Sequence, residues 1–362
     1  MKRVFHIITH FDVGGAERVA MNIARSQTPG YEYHVVEVVR AHGAFTKQMI
    51  AELEQAGISY HRSPFPEFHF HFMAERLAAC LFPLRFLWLW WRYRPQVVHS
   101  HTEVPDLATW LTFHCLPWLR KSCQVVRTIH NTQLWTGLKR TGQRVERFFQ
   151  SQQANVAISA SVQQCYEDAY GEQPPIIYNG VSPVRQQPYP KLVAGKVNIL
   201  FAGRFEPQKG ITTLIDIIRE ADVAKYHFHL VGDGTLRPLI ESRLRGLPHV
   251  SVRQAVYGLS SYLASFDYLL MPSVFEGLSI LSIEAAMNHL PVIANDCLGL
   301  HDTLPPDWAL TVHDNSQDDY RRLFREVLPT CSRTELTAQA HAFAQAHFSL
   351  EQMQRSYEQV YG

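Results

Sequence analysis

The chain has 362 residues, 19% of them charged and 46% hydrophobic, and its formal net charge is +1. That length holds two domains of ordinary size, each with its own core. The near-neutral balance offers no bulk attraction for a polyanion, so no nucleic-acid partner is expected.

Six cysteines (Cys80, Cys115, Cys123, Cys165, Cys297, Cys331) stand apart with no C-x-x-C pair, which argues against a zinc site or a disulfide framework and fits a reducing cytoplasm. The opening MKRVFHIITHFD has an apolar run too short and too polar-interrupted for a signal peptide, and reads as a first strand over 4–8. Gly14-Gly15 then open a helix with Val19, Ala20 and Ile23 on one face. Strand, glycine loop and helix can bring backbone amides to a phosphate, or simply make a tight turn. A strand at 33–39, a helix at 45–55 and a strand at 58–60 follow, the alternation of a parallel α/β sheet.

The segment 65–94 carries FHFHF at 68–72 and then LAACLFPLRFLWLWWRYR, with Trp88, Trp90, Trp91 and Tyr93. Pro83 and Arg85 interrupt it, so it is not read as a membrane span. Two readings stand: a buried connecting helix, or a peripheral membrane contact with aromatics and Arg85, Arg92 and Arg94 at the lipid headgroups. QVVHSH at 96–101 reads as a strand on which His99 and His101 face one side, with no third ligand evident and hence no metal site expected. Another strand, 125–129, ends at His130, which by itself suits a loop or cap. IIYNGV at 176–181 leads into the proline-rich, polar stretch 182–194, expected to link the domain 1–181 to a second one at 195–344.

The second domain restarts the pattern with a strand at 197–202 and the loop GRFEPQKG at 203–210. Arg204 and Lys209 there are either a solvated pair of cations or a means of neutralising a diphosphate leaving group. A helix at 211–218, a strand at 228–231, a turn at Gly232-Asp233-Gly234 and a strand at 250–252 come next. The apolar run 269–271 then enters PSVFEGLSILSIEAAMNHLP, which puts Glu276 in a loop and Glu284 in the first turns of a helix capped by Ser279 or Ser282. The amides of Gly277, Leu278 and Ser279 would face an anion at that helix start, and ionised carboxylates beside it would suit the hydroxyls of a cis-diol. Solvated loop and helix residues are the plainer alternative. The tail 345–362 reads as a final helix.

Taken together, GGAE at 14–17, VVHSH at 97–101, IIYNGV at 176–181, GRFEPQKG at 203–210 and E-G-x6-E-A at 276–285 resemble the motifs of the retaining glycosyltransferases of family 4. Gln96 and Ser182 stand where that family usually has aspartate. The resemblance covers essentially the whole chain and implies an α/β GT-B fold, two Rossmann-like doubly wound parallel sheets facing across a cleft, with the final helix crossing back to the first domain. It implies a nucleotide-diphosphate sugar as donor, UDP favoured, with ribose on Glu284 and diphosphate on Arg204 and Lys209. The donor sugar would meet Glu276, His130 and the Gly14-Gly15 loop, while the amides of 277–279 hold sugar and phosphate and Gly232 and Gly234 let the backbone approach the nucleotide. Catalytic roles fall on His130, Glu276, Arg204 and Lys209. No D-x-D motif occurs, so the expected reaction uses neither metal nor cofactor and proceeds with retention. Domain closure about the linker would exclude water. The expected acceptor is a saccharide or lipid-linked glycan, and the expected location the cytoplasm, at the inner membrane face if segment 68–94 meets lipid. The alternatives are a non-catalytic nucleotide-sugar or glycan-binding relative, a nucleotide-sugar epimerase, and a membrane-surface scaffold.

Overall fold

The computed structural model describes residues 1–362 apart from Val13, Ala44 and 67–70, and apart from the side chains of His71 and Phe72. The chain forms two compact units, Met1–Gly180 with Leu350–Gly362, and Val181–Ser349. Each is built on one parallel six-stranded sheet.

In the first unit the strands are β1 Lys2–Ile8, β2 Tyr31–Glu37, β3 Ser59–His61, β4 Val97–His101, β5 Gln124–Ile129 and β6 Asn155–Ala157, in the order β3-β2-β1-β4-β5-β6. The second repeats this with β7 Val197–Arg204, β8 Tyr226–Asp233, β9 Val250–Arg253, β10 Tyr268–Met271, β11 Val292–Asp296 and β12 Thr311–His313, in the order β12-β11-β10-β7-β8-β9. Continuous apolar runs form these strands because helices cover both faces of a doubly wound sheet, so both side-chain rows are buried. Val4, Phe5, Ile7 and Ile8, with no exposed surface, show the result. The strand order reverses between β1 and β4 and between β7 and β10, and the carboxyl ends of those strands are where such sheets bind ligands.

Residues 182–194, expected as a linker, are tied to the second unit. The Gln186 side chain donates to the carbonyl of Ser260 at 2.9 Å and to Asn288 Oδ1 at 2.8 Å, and the Tyr189 amide donates to Ser265 Oγ at 2.9 Å. The final helix, Leu350–Tyr361, belongs to the first unit: Lys2 Nζ donates to the Tyr361 carbonyl at 2.5 Å and Gln124 to that of Val360 at 2.7 Å. Gln96, in place of an aspartate, accepts the Arg3 amide at 2.7 Å.

The helix His71–Tyr93 has two apolar faces with different fates. Ala78, Ala79, Phe82, Phe86 and Leu89 enter the core, while Leu84, Trp88 and Trp91 lie exposed, the tryptophans at 57% and 66%. Arg85, which the membrane-contact reading put among headgroups, turns inward. It donates to the backbone carbonyls of His61 and Arg62 at 2.9 and 3.1 Å and to that of Glu37. Trp90 is half-buried, under the Arg94 guanidinium at 3.8 Å. Among the described residues no helix is long and apolar enough to cross a membrane. The FHF at 68–70 lies outside the described residues.

On β5, Arg127 is fully buried between two carboxylates, bonding Asp106 at 2.7 Å and Glu146 bidentately at 2.6 and 2.8 Å. Burial pushes the Asp106 carboxyl up to about 7 against the pull of Arg127.

Candidate functional site

In the second unit, β7 delivers Gly203 and Arg204 to its carboxyl end, and the turn Pro207–Lys209 carries Lys209 towards the loop after β10. There Lys209 Nζ lies 2.6 Å from Glu276 Oε1, which also accepts Ser273 Oγ at 2.7 Å. Both partners of the ion pair are mostly buried, whereas Arg204 is exposed, donates to Gln208 Oε1 at 3.4 Å and, second to the Thr235 hydrogen bonds, helps hold the Glu206 carboxyl below its usual value. Gly210 permits this approach of the two loops: its φ is +65°, and a Cβ there would sit 1.8 Å from the Pro272 carbonyl oxygen.

The helix Ile280–Met287 starts as expected, with Ser279 Oγ accepting the Ser282 amide at 3.3 Å. Glu284 sits half-buried in its second turn. Of the three amides expected to face an anion, that of Ser279 donates to the Gly299 carbonyl at 3.2 Å, so it is engaged within the protein. Gly277 and Leu278 lie in the same loop, Leu278 with its side chain buried. A cavity of about 490 Å³ opens beside the loop, lined by Val274, Asp296, Cys297, Leu298, His301 and Asp314 among others.

Gly232 and Gly234 have another explanation than the one expected. Gly232 is still in β8, paired with Gly203, and a Cβ on it would lie 1.9 Å from the Gly203 carbonyl oxygen. A Cβ on Gly234, at φ +157°, would lie 2.6 Å from that of Phe205. Packing of β8 against the chain that leaves β7 requires both glycines, with or without a nucleotide.

In the first unit Gly14 is the N-cap and Gly15 the first residue of the helix Gly15–Ala24, at the carboxyl end of β1. His130 follows β5 and is nearly buried; Nε2 lies 3.1 Å from His101 Nδ1. His101 Nε2 in turn lies 3.0 Å from His6 Nδ1. His6 and His99 are register partners on β1 and β4, so their side chains share one face of the sheet. A third histidine therefore does lie beside His99 and His101, which the sequence did not show. One nitrogen from each of the three falls within 4.8 Å of the others. Yet His99 is held by two hydroxyls, Tyr361 and Thr128, both at 2.7 Å, and no carboxylate sits among the three to offset a cation. The arrangement is a hydrogen-bonded array. Burial drops the pKa of His6 and of His130 to about 3, His130 also feeling Arg127, and holds His99 and His101 well below the usual value.

Comparison with known proteins agrees with this architecture. A model of "Glycosyltransferase Family 4" matches residues 13–185, and one of "Glycosyl transferases group 1" matches 196–328. An uncharacterized 41.2 kDa protein in the cps region of Klebsiella pneumoniae is 28% identical over 232 residues, 58% of this chain and 62% of that protein. The uncharacterized glycosyltransferase MJ1178 of Methanocaldococcus jannaschii is 31% identical over 159 residues, 42% of this chain and 43% of that one. The chain thus spans about two fifths to three fifths of the length of these relatives. Among solved structures, Anabaena Alr3699/HepE in complex with UDP and glucose superposes with a TM-score of 0.80, 99% coverage of both chains and 16% identity. The chain belongs to the glycosyltransferases of family 4 and has their GT-B fold.

Proposed function

We propose that the protein is a metal-independent retaining glycosyltransferase that moves a hexose or N-acetylhexosamine from a nucleotide-diphosphate sugar, a UDP sugar first among them, to a saccharide or lipid-linked glycan. The observation that carries the reading is the set at the carboxyl ends of β7 and β10. There Lys209 is held on Glu276 while Arg204 stands exposed, its side chain hydrogen-bonded to Gln208, a cationic pair where a diphosphate needs one. Glu284 takes the ribose, the amides of Gly277 and Leu278 take sugar or phosphate, and Glu276 orients the donor sugar. His130 and the Gly14-Gly15 loop act from the first unit. The acceptor hydroxyl attacks the anomeric carbon on the face the phosphate leaves; the bond from that carbon to the phosphate oxygen breaks, and this oxygen takes the acceptor proton. No protein carboxylate is then needed as a nucleophile. The UDP of the Anabaena structure and the cps region of the Klebsiella relative support a UDP sugar and a role in cell-envelope polysaccharide synthesis.

Calorimetric titration with a panel of nucleoside diphosphates and their sugars tests this reading, with wild type beside Arg204→Ala and Glu284→Ala. One nucleotide class should bind, and each substitution should weaken it about tenfold or more, a charged hydrogen bond being worth about 1.5–3 kcal/mol. Absence of any nucleotide binding, or indifference to both substitutions, would remove the reading and favour a binding module or scaffold.

A second reading concerns where the protein works. Exposed Leu84, Trp88 and Trp91, with Arg92 and Arg94 also exposed near the helix end, suit the headgroup layer of an anionic membrane. Flotation with anionic liposomes should be lost in Trp88→Ser/Trp91→Ser, and a wild type that stays unbound excludes the contact.

A further inference from the structure

His6, His101 and His130 form a series in which each inner bond joins an Nδ1 to an Nε2, at 3.0 and 3.1 Å. A neutral imidazole has one N–H and one bare nitrogen. If His101 accepted at both of its nitrogens it would be an anion, and if it donated from both it would be a cation buried without a counter-charge. Burial keeps the rings neutral. Both bonds must therefore run in the same direction, and only two directions exist.

Running inward from His130, the chain ends in an N–H on His6 Nε2, a fully buried atom with no hydrogen-bond partner among the described residues. Running outward from His6, it leaves there only a bare nitrogen. Buried N–H groups without acceptors are rarer in proteins than acceptors without donors. The outward direction has His6 Nδ1–H donating to His101 Nε2 and His101 Nδ1–H donating to His130 Nε2. His130 Nε2 is then always an acceptor. Its proton sits on Nδ1, which makes no hydrogen bond within the described residues, and the ring retains some exposure.

We propose that His101 and His6 are positioning residues that lock His130 in the Nδ1–H form, so that the ring presents a neutral hydrogen-bond donor and not a base. The ligand class this suits is an oxygen acceptor: a sugar hydroxyl or the phosphate oxygen of a departing nucleotide. His99 stands outside the series, tied to Tyr361 and Thr128. The bearing on transfer rests on the function proposed above; the lock itself does not.

The test is a long-range proton–nitrogen correlation spectrum of the full chain labelled with ¹⁵N in its histidine rings, at pH 7.5. Signals of His130 are assigned by their disappearance in His130→Gln. Wild type should show His130, His101 and His6 each with a pyrrole-type Nδ1 and a pyridine-type Nε2. Protonation of His130 on Nε2, or on both nitrogens, overturns the proposal without any variant having to fold. In His101→Phe the His130 ring should leave the Nδ1–H form, and His6→Phe, which also frees the chain to reverse, serves if His101→Phe does not fold. Persistence of the Nδ1–H form in the folded variant overturns the lock. Unchanged sugar transfer in His130→Gln, with the expected spectrum in wild type, would remove His130 from the transfer reaction and leave the lock standing.

Discussion

Lys209 and Glu276, 67 positions apart in the chain, meet at 2.6 Å because β7 and β10 are neighbours in the sheet and their following loops converge. Each is the other's main charge partner, so neither can be removed alone without leaving a mostly buried charge.

Lys209→Ala should therefore act twice. Leaving Glu276 with Ser273 alone should cost about 1–3 kcal/mol in urea unfolding, and withdrawing a cation from the leaving group should lower kcat about 100-fold. Arg204→Ala, at an exposed position, should reduce transfer with the unfolding midpoint unchanged. Equal stability losses in the two variants would contradict this division.

Gly210→Ala and Gly258→Ala compare the same strain with and without a clash. Their φ angles are +65° and +72°, but a Cβ at Gly258 meets nothing within 4 Å. Gly258→Ala should cost about 1–2 kcal/mol, the ordinary penalty of a left-handed residue. Gly210→Ala should cost more and weaken nucleotide binding too, since the Pro272 backbone must move and carry the Glu276 loop with it. A thermal melt and a titration of both variants decide it.

The buried histidines predict acid sensitivity of a definite sign. His6, His99, His101 and His130 have folded pKa values below the usual 6.5, so below that pH the unfolded chain binds protons that the native chain refuses. Stability should fall as pH drops through about 6.5, each group contributing up to about 1.4 kcal/mol per pH unit. Urea unfolding at pH 7.5 and 5.5 measures it, and transfer should show no inflection near 6.5 attributable to His130.

Arg127→Met should be among the costliest single substitutions, about 3–5 kcal/mol, because it strands Asp106 and Glu146 in the core. Adding Glu146→Gln should return part of the loss. A double variant no more stable than the single one would show that packing, not charge, sets the cost.

Much of this molecule was legible in the chain. Apolar runs marked the strands because burial on both faces leaves no polar row, and Lys209 and Glu276 stood out through their loops. The histidine array was half visible: His99 and His101 lie two apart on β4, but His6 joins them only through the β1–β4 pairing, a long-range event without local trace. In β12 three residues suffice, Thr311–His313, too few for periodicity to register. The helix His71–Tyr93 resisted assignment because apolar residues cover both its core and its open side, so the pattern names no face. Gly232 and Gly234 looked like ligand-facing glycines, though the neighbouring backbone alone accounts for them.

The way the chain enters and leaves its second unit has a further consequence. The Val181 amide donates to the Phe348 carbonyl at 3.0 Å and Val181 bridges Ser349, while next to them the Gly180 amide meets Met353 Sδ at 3.1 Å. Entrance and exit are fastened side by side, so residues 181–349 form a cassette spliced into a host whose own two ends already adjoin. Two cuts and two joins, at neighbouring points, would exchange this cassette for another without rethreading the host, a route by which the second unit can change while the first is inherited intact.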